Sequence, residues 1–594
     1  MTIEGYRRLA LAALCTACVL VVLGGAICFL GAAKSVPDWP TTFGGITPPA
    51  AIGPLVEYLH RIFAVLTGLL VLACAVVGLR RYRSRPWLGL PPVAAVPLLV
   101  LVAILGAIAV LGSLSPVVAT VDLGSALLVV ALMTVTVVSA RIAGRDERHP
   151  WVLAFSTASA RMALVACAGT FVVLASGLAA GVPGSPVTCL GLPAWETAGH
   201  LRAGWLRSAQ FLLSAATGTL VVGLAVVAWI RQRSRLSTLS LSTLAAVLFI
   251  ADAVTSERSV ARGFPPLLLT LRVATAAALW VVIVALAARH GLGAANDSDR
   301  APVTRVPASG GRRIVDLFTM TRPLVTGLLL AAAYAGMIAT AGTVPKLHTT
   351  LWTLVGVALA AAGAQAINAY LDRDMDASMS RTSRRPLPAG RLTPAEGLAL
   401  GLAACVSSLY ILAELVSWQA AAWTILGVGW YALLYTRLLK RSTPYSIVIG
   451  GIAGALMPIV GGAAVGAGVS LPAALLGLVV FLWTPPHFWS LATVHAADYL
   501  SAGVPVFPAV RGGDRTQRSI VVYSAAAVAA SAALAFSLRG WGILLPSAAV
   551  LGAVLLWSAV AMGRNGARSA QRLYLVSELY LALLLVATAV QVLA

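Results

Sequence analysis

The sequence predicts an all-α, polytopic membrane protein with about seventeen transmembrane helices. Three observations carry this. The 594 residues are 59% hydrophobic and only 10% charged, with a mean hydropathy of +0.92, a balance that soluble domains do not show. Apolar runs such as Leu9–Phe29, Val93–Leu111 and Leu324–Ala341 are long enough to cross a hydrocarbon core of about 30 Å at helical rise. The basic residues fall in alternate loops between those runs, as the positive-inside rule requires.

In chain order, the first apolar run leads into a loop containing Pro and Trp rather than an A-x-A-like cleavage site, so it is expected to remain as a span. With Arg7 and Arg8 inside, the clusters Arg80–Arg83, Arg141–Arg161, Arg231–Arg235 and Arg289–Arg322 all fall inside as well. Continuing, Arg373–Arg391, Arg437–Arg441, Arg511–Arg518 and Arg564–Arg572 follow the same side. The intervening loops, including Lys34–Pro54, Val182–Gly204 and Val344–Thr349, are poorer in positive charge. A net charge of +22 spread in this way sets topology and does not form a nucleic-acid surface. Most of the seven cysteines lie within spans, Cys189 being placed in an outer loop; no disulfide framework and no cysteine metal site are implied.

The segment from His290 to Arg313 reads HGLGAANDSDRAPVTRVPASGGRR, polar and rich in Gly, Pro and Ser between two long helical blocks. It divides the chain into a membrane domain at 1–289, a cytoplasmic linker at 290–315 and a second membrane domain at 316–594. About eight spans precede the linker and about nine follow it, leaving the N-terminus and the end of the first block on the cytoplasmic side.

Chemistry concentrates in the second block. Asn368, Asp372 and Asp376 are spaced i, i+4 and i+8 at the cytoplasmic end of an apolar helix, so they share one face. A ladder of hard oxygens suits Mg²⁺, which usually binds through one or two carboxylates together with substrate phosphates. Asp374 lies off that face. Arg381, Arg384 and Arg385 follow closely, and guanidinium forks bind phosphate oxygens in bidentate fashion. A second acid, Asp498, lies beyond Trp483-Thr-Pro-Pro-His487 on the same side of the membrane, placed to supply a second Mg²⁺ and clamp a diphosphate from the opposite side. On these residues alone, His487 reads either as a hydrogen-bonded interior histidine or as a ligand.

From Asp316 onward the chain resembles the UbiA-type intramembrane prenyltransferases, and within them the protohaem IX farnesyltransferases. Asn368-x-x-x-Asp372-x-x-x-Asp376 looks like the first Asp-rich motif of the superfamily. Met379-Ser-Arg-Thr-x-x-Arg-Pro-Leu, Tyr435-Thr-Arg-Leu-Leu-Lys440-Arg441 and Ile447-Val-Ile-Gly-Gly-Ile-Ala-Gly-Ala455 look like its haem-specific strings. The resemblance implies nine helices around a central cavity and Mg²⁺-dependent ionisation of farnesyl diphosphate. It further implies transfer of the farnesyl group to a vinyl of protohaem IX with addition of water, giving haem O. It makes Asn368, Asp372, Asp376 and Asp498 catalytic, with Asp372, Asp376 and Asp498 as metal ligands. Arg381, Arg384, Arg385, Lys440, Arg441 and His487 become substrate-binding residues. The chain departs from the family at Arg322-Pro323-Leu324, Ser446, Thr484 and Met457-Pro458, none of which removes the ladder. A quinone precursor as acceptor is the enzymatic alternative. A transporter or non-catalytic haem-binding protein is the other, and it accords poorly with an acidic cluster at the membrane boundary instead of the midplane.

In the first block, Pro37-Asp-Trp-Pro40 and Glu57-Tyr-Leu-His60-Arg61 resemble the first repeat of the haem A synthases, whose eight spans form two four-helix halves that ligate haem through paired histidines. The resemblance implies a haem contact at Glu57 and His60. Thr120-Val-Asp122, Gln210 and Arg272 stand where partner histidines are expected, so this domain reads as diverged. Haem-oxidase assembly factors are the protein partners the pairing implies. The plasma membrane, with a cytoplasmic active site, is the implied location.

Overall fold

The computed structural model describes residues 1–32, 35–36, 42, 44–45, 47–111, 115–145, 152–180, 204–261, 265–293, 310–466, 468–538, 542–562 and 566–594. The chain folds as two compact units, Met1–Arg300 and Ala301–Ala594. Among the described residues there is no β-strand, only an isolated bridge between Thr42 and Gly45.

Among the described residues the first unit contains eight helices: α1 (Ile3–Leu30), α2 (Ile52–Arg81), α3 (Pro86–Leu111), α4 (Pro116–Ala143), α5 (Ala158–Ala180), α6 (Gly204–Arg231), α7 (Leu236–Ala261) and α8 (Pro266–Gly291). Their ends follow from local chemistry. Thr2 caps α1 by accepting from the Gly5 amide at 3.1 Å, and Gly31 closes it in the left-handed region at φ 62°. α1 packs on α2, α4 and α8, and α8 also meets α4, α5 and α7. α8 is consequently buried along most of its length, Trp280 reaching across to donate to the Leu127 carbonyl at 2.7 Å.

Two sequence expectations are corrected here. Cys28 is disulfide-bonded, whereas Cys15, Cys18, Cys74, Cys167 and Cys405 are free; hydropathy counts Cys28 with the interior of its span, but it is exposed on the last turn of α1. His290 and Gly291, assigned by composition to the linker, complete α8, where His290 is buried. At the other end, 310–315 open the next helix.

The second unit begins with α9 (Gly310–Met320), followed by α10 (Pro323–Ala341), α11 (Leu347–Ser378), α12 (Pro394–Leu415) and α13 (Trp418–Gly429). α13 runs directly into a π-helix over Trp430–Leu439. Then come α14 (Ser446–Gly450), α15 (Ile452–Ala464), α16 (Leu471–Val494), α17 (Ala496–Ser501), α18 (Phe507–Arg511), α19 (Gly513–Ser537), α20 (Leu544–Ala561) and α21 (Ala567–Leu593). Sixteen described helical segments are long and apolar enough to cross a membrane. The remaining span expected from sequence is the α13 and π-helix pair, which the change of helical pitch interrupts. Thr393 and Glu396 form a reciprocal capping box at the start of α12.

Close helix packing shapes the interior of this unit. A Cβ added at Gly461 of α15 would lie 1.9 Å from the Ala333 carbonyl oxygen of α10, and one at Gly336 would lie 2.2 Å from the Pro458 oxygen. Bare Cα positions let the two backbones touch, the usual means of joining helices where lipid removes the hydrophobic incentive. Across from this contact, α11 packs on α12 and meets the π-helix.

Candidate active site

The C-terminal half of α11 and the π-helix face each other through three polar pairs. The Tyr431 hydroxyl donates to Gln365 Oε1 at 3.2 Å, Asn368 Nδ2 donates to Thr436 Oγ1 at 3.0 Å, and Lys440 Nζ meets Asp372 Oδ2 at 2.5 Å. On α11 the steps are three and four residues, the ordinary repeat of one helix face. On the opposing strand of contacts they are five and four, a spacing that an α-helix would splay apart and a wider π turn brings into line. The Lys440 amide bonds to the Tyr435 carbonyl at 2.9 Å, an i to i+5 closure. Local unwinding is therefore what aims Lys440 at the ladder.

Asn368, Asp372 and Asp376 are all buried, at 2%, 1% and 3% exposure. Asn368 Nδ2 also donates to Asp372 Oδ2 at 3.0 Å, and Asp376 Oδ2 accepts from Arg385 Nη1 at 2.8 Å. Each buried carboxylate thus has a cation, since an unpaired charge there would be costly. Burial pushes the Arg385 guanidinium below its ordinary value, with Arg322 adding to the effect and Asp376 opposing it. Asp374 is exposed and pairs with its neighbour Arg373 at 3.5 Å.

Sequence reasoning gave Arg322 no role in the site. Its Nη2 donates to Asn368 Oδ1 at 3.1 Å, and it lines the cavity beneath the ladder. Among the described residues it is the one non-glycine with positive φ, at 50°, a conformation costing about 1–3 kcal/mol. Pro323 follows it, and a residue before proline is kept out of the right-handed helical region. The signal was therefore present as Arg322-Pro323, but its meaning depends on the contact with α11.

The remaining expected residues take varied positions. Arg381 donates to the Tyr499 hydroxyl at 3.2 Å. Arg384 is exposed, its carbonyl accepting from Arg391 at 3.1 Å. Arg441 is exposed and donates to the Leu371 carbonyl at 3.3 Å. Asp498 accepts from Ser380 Oγ at 2.6 Å, and that bond holds its carboxyl below the usual carboxylate range. It is tied to the loop after α11, and among the described residues no three acid, His or Cys side chains are gathered into a metal cluster. His487 stacks between Trp483 and Tyr574, with ring centroids 4.3 and 4.6 Å away, and its Nδ1 meets Ser577 Oγ at 2.9 Å. It does not line the cavity, although Thr484 and Phe488 on either side of it do.

That cavity has a volume of about 300 Å³. It lies between α10, α11, α13, the π-helix, α14, α15 and α16, with Arg322 on its wall and mostly Ala, Gly, Val, Ile and Leu elsewhere. A charged rim over an apolar chamber can hold an anionic head and an apolar tail together. The rim also fits a divalent cation, because Asp372 Oδ1 is buried without a hydrogen-bond partner and is a hard oxygen donor.

Among the described residues the first unit shows no comparable arrangement. Glu57 accepts from the Val36 amide at 2.9 Å and pairs with Arg61 at 2.7 Å. His60 packs against Gly24 of α1, where an added Cβ would lie 3.4 Å from its ring, and its Nδ1 has no hydrogen-bond partner. A gap of about 50 Å³ nearby is lined wholly by apolar residues such as Gly25 and Leu127, and His290 lies at the opposite end of its own helix. The described residues therefore do not form a paired-histidine haem site. Pro37 to Pro40, His149, Cys189 and His200 lie outside the described residues.

Comparison with known proteins defines the class first. The UbiA prenyltransferase family matches residues 329–584, and the COX15-CtaA family, described as cytochrome oxidase assembly protein, matches residues 7–183. A protoheme IX farnesyltransferase of Roseiflexus sp. (strain RS-1) is 35% identical over 80% of this chain and 90% of its own length. One from Chloroflexus aurantiacus is 32% identical over 99% of this chain and 98% of its own, so both units are matched together. One from Symbiobacterium thermophilum is 43% identical over 43% of this chain and 81% of its own. Among solved structures, a UbiA homologue from Archaeoglobus fulgidus bound to GPP and Mg²⁺ is 18% identical with TM-score 0.38, covering 46% of this chain and 99% of that one. The chain belongs to the protohaem IX farnesyltransferase family of UbiA prenyltransferases, as a multi-pass membrane protein with a COX15-CtaA-type region ahead of the prenyltransferase region.

Proposed function

We propose that this chain transfers the farnesyl group of farnesyl diphosphate to a vinyl group of protohaem IX, with addition of water, to give haem O. The observation that carries the reading is the buried Asn368–Asp372–Asp376 ladder, joined by Arg322 to the wall of an apolar cavity, in a chain 35% identical to a relative of that name. Asp372 and Asp376 would hold Mg²⁺, which neutralises charge on a departing diphosphate. Asn368 orients Asp372 through its amide and is itself held by Arg322 and Thr436. Lys440 and Arg385, which pair with those carboxylates, are the cations that would meet phosphate oxygens. The apolar chamber keeps water from the allylic carbon, so charge builds up where it is useful.

The finer assignments belong to the same proposal. The first unit is a diverged haem A synthase-like domain and the second the prenyltransferase, with the linker expected at 290–315 shortened by 290–291 in α8 and 310–315 in α9. The site faces the cytoplasm from the plasma membrane, because the ladder shares its side with the basic loops. The test is haem analysis by chromatography and mass spectrometry of a haem O-deficient bacterial host expressing the full chain. Haem O with the wild type and none with Asp372→Ala is the expected result. A folded, membrane-inserted wild type that yields no farnesylated haem would overturn it.

A further inference from the structure

Six polar or charged residues line the cavity: Arg322, Gln365, Thr424, Tyr431, Tyr435 and Thr484. Thr424 and Thr484 donate back to the Ala420 and Val480 carbonyls of their own helices, each at 2.7 Å. Arg322 is turned to Asn368. Tyr435 stacks its ring on Tyr431 at 5.6 Å, and Gln365 differs from Thr424, Thr484 and Arg322. It is only 6% exposed, sits among Ala360, Ala361 and Ala364, and uses one end of its amide on the Tyr431 hydroxyl. The other end, Nε2, makes no hydrogen bond among the described residues. Exchanging the amide oxygen and nitrogen keeps the pattern, with one end on Tyr431 and the other open to the chamber. A buried amide left half-satisfied in an apolar wall is costly unless something polar joins it.

We infer that the Gln365–Tyr431 pair is a water-holding station for the hydration half of the reaction, a role that rests on the proposed farnesyl transfer. Its position suits that task. Gln365 is seven residues before Asp372, ~10 Å deeper along α11, with Asn368 between them. In the transfer, the bond from farnesyl C1 to its diphosphate oxygen breaks, and C1 bonds to the terminal vinyl carbon. Positive charge then rests on the vinyl carbon next to the macrocycle. A water oxygen bonds to that carbon, and one proton passes to the departed diphosphate. Water held at the metal end would instead attack farnesyl C1 and waste the substrate. Water held two turns inward meets the second cation and not the first. A polar pair on a mostly apolar wall, offering both donor and acceptor atoms, is what retains a single water there. Gln365 is thereby a positioning residue acting through that water.

The experiment uses the full chain in membranes with farnesyl diphosphate, protohaem IX and ¹⁸O-labelled water, comparing wild type, Gln365→Leu and Gln365→Glu by mass spectrometry. Wild type should give haem O carrying one ¹⁸O. Gln365→Leu should lower the ratio of hydrated to unhydrated farnesylated haem by at least about tenfold, while Gln365→Glu restores it. An unchanged ratio in the Leu variant, at matched protein level and thermal stability, overturns the inference. Should the Leu variant not fold, Tyr431→Phe is read in the same way: loss of the ratio supports the station, and an unchanged ratio refutes it. Absence of farnesylated haem from the wild type would refute the underlying reaction, a result separable from any change in ratio among variants.

Discussion

Both units bury ionised side chains in apolar surroundings, yet they use them differently. In the first, Asp252 and Arg272 pair at 3.9 Å with 6% and 1% side-chain exposure, deep between α7 and α8, and the gap found in that unit is about 50 Å³ with apolar walls. In the second, Asp372 and Lys440 pair at 2.5 Å and connect through Asn368 to Arg322 on the wall of a chamber six times larger. Asp252 and Asp372 each keep one oxygen without a hydrogen bond, so that feature does not separate them. A charge pair sealed by packing joins helices, whereas one linked to a cavity wall through Asn368 and Arg322 can exchange its partner for a ligand. Access, more than the presence of charge, separates the two roles.

The comparison breaks or sharpens under four substitutions. The largest effect is expected for Asp372→Ala, which should lower haem O formation by about 10²–10³-fold or more without moving the unfolding of residues 1–300; equal loss of both would make Asp372 merely structural. Asp252→Leu should do the reverse. It removes one partner of the buried Arg272 and should cost about 1–3 kcal/mol in denaturant unfolding of the detergent-solubilised chain, with activity per folded molecule retained. Were activity to vanish with the fold intact, the sealed pair would have a functional share. Gly461→Ala should cost about 1–3 kcal/mol, because its Cβ meets the Ala333 carbonyl at 1.9 Å. Gly68→Ala, with nothing within 4 Å of its Cβ, serves as the neutral control in the same melts. The smallest effect belongs to His487→Phe, which keeps the stack on Trp483 and Tyr574 but loses the Ser577 bond. A change of about 1 kcal/mol is expected, with little effect on turnover; a collapse of turnover would return His487 to the substrate side.

What the sequence determined by itself is what linear spacing encodes. Span length and hydropathy defined the membrane helices, because crossing a bilayer sets a fixed length of apolar residues. The i, i+4, i+8 spacing put Asn368, Asp372 and Asp376 on one face, because α11 keeps a regular pitch through them. Arg385 proved to be paired with Asp376 for a related reason, since the two are close in the chain. Residues 365, 431 and 322 were not legible as one site, because nothing in linear order brings three separate helices together. The π-helix was equally hidden: a change in pitch at Trp430–Leu439 leaves composition and hydropathy unaltered, yet it sets which side chains face α11. His487 shows the same limit from the other direction, for its rotation into an aromatic stack instead of the cavity depends on Trp483 and Tyr574. Only tertiary structure decided these, because register between helices is fixed by side-chain packing and backbone approach, which single-helix periodicity does not contain.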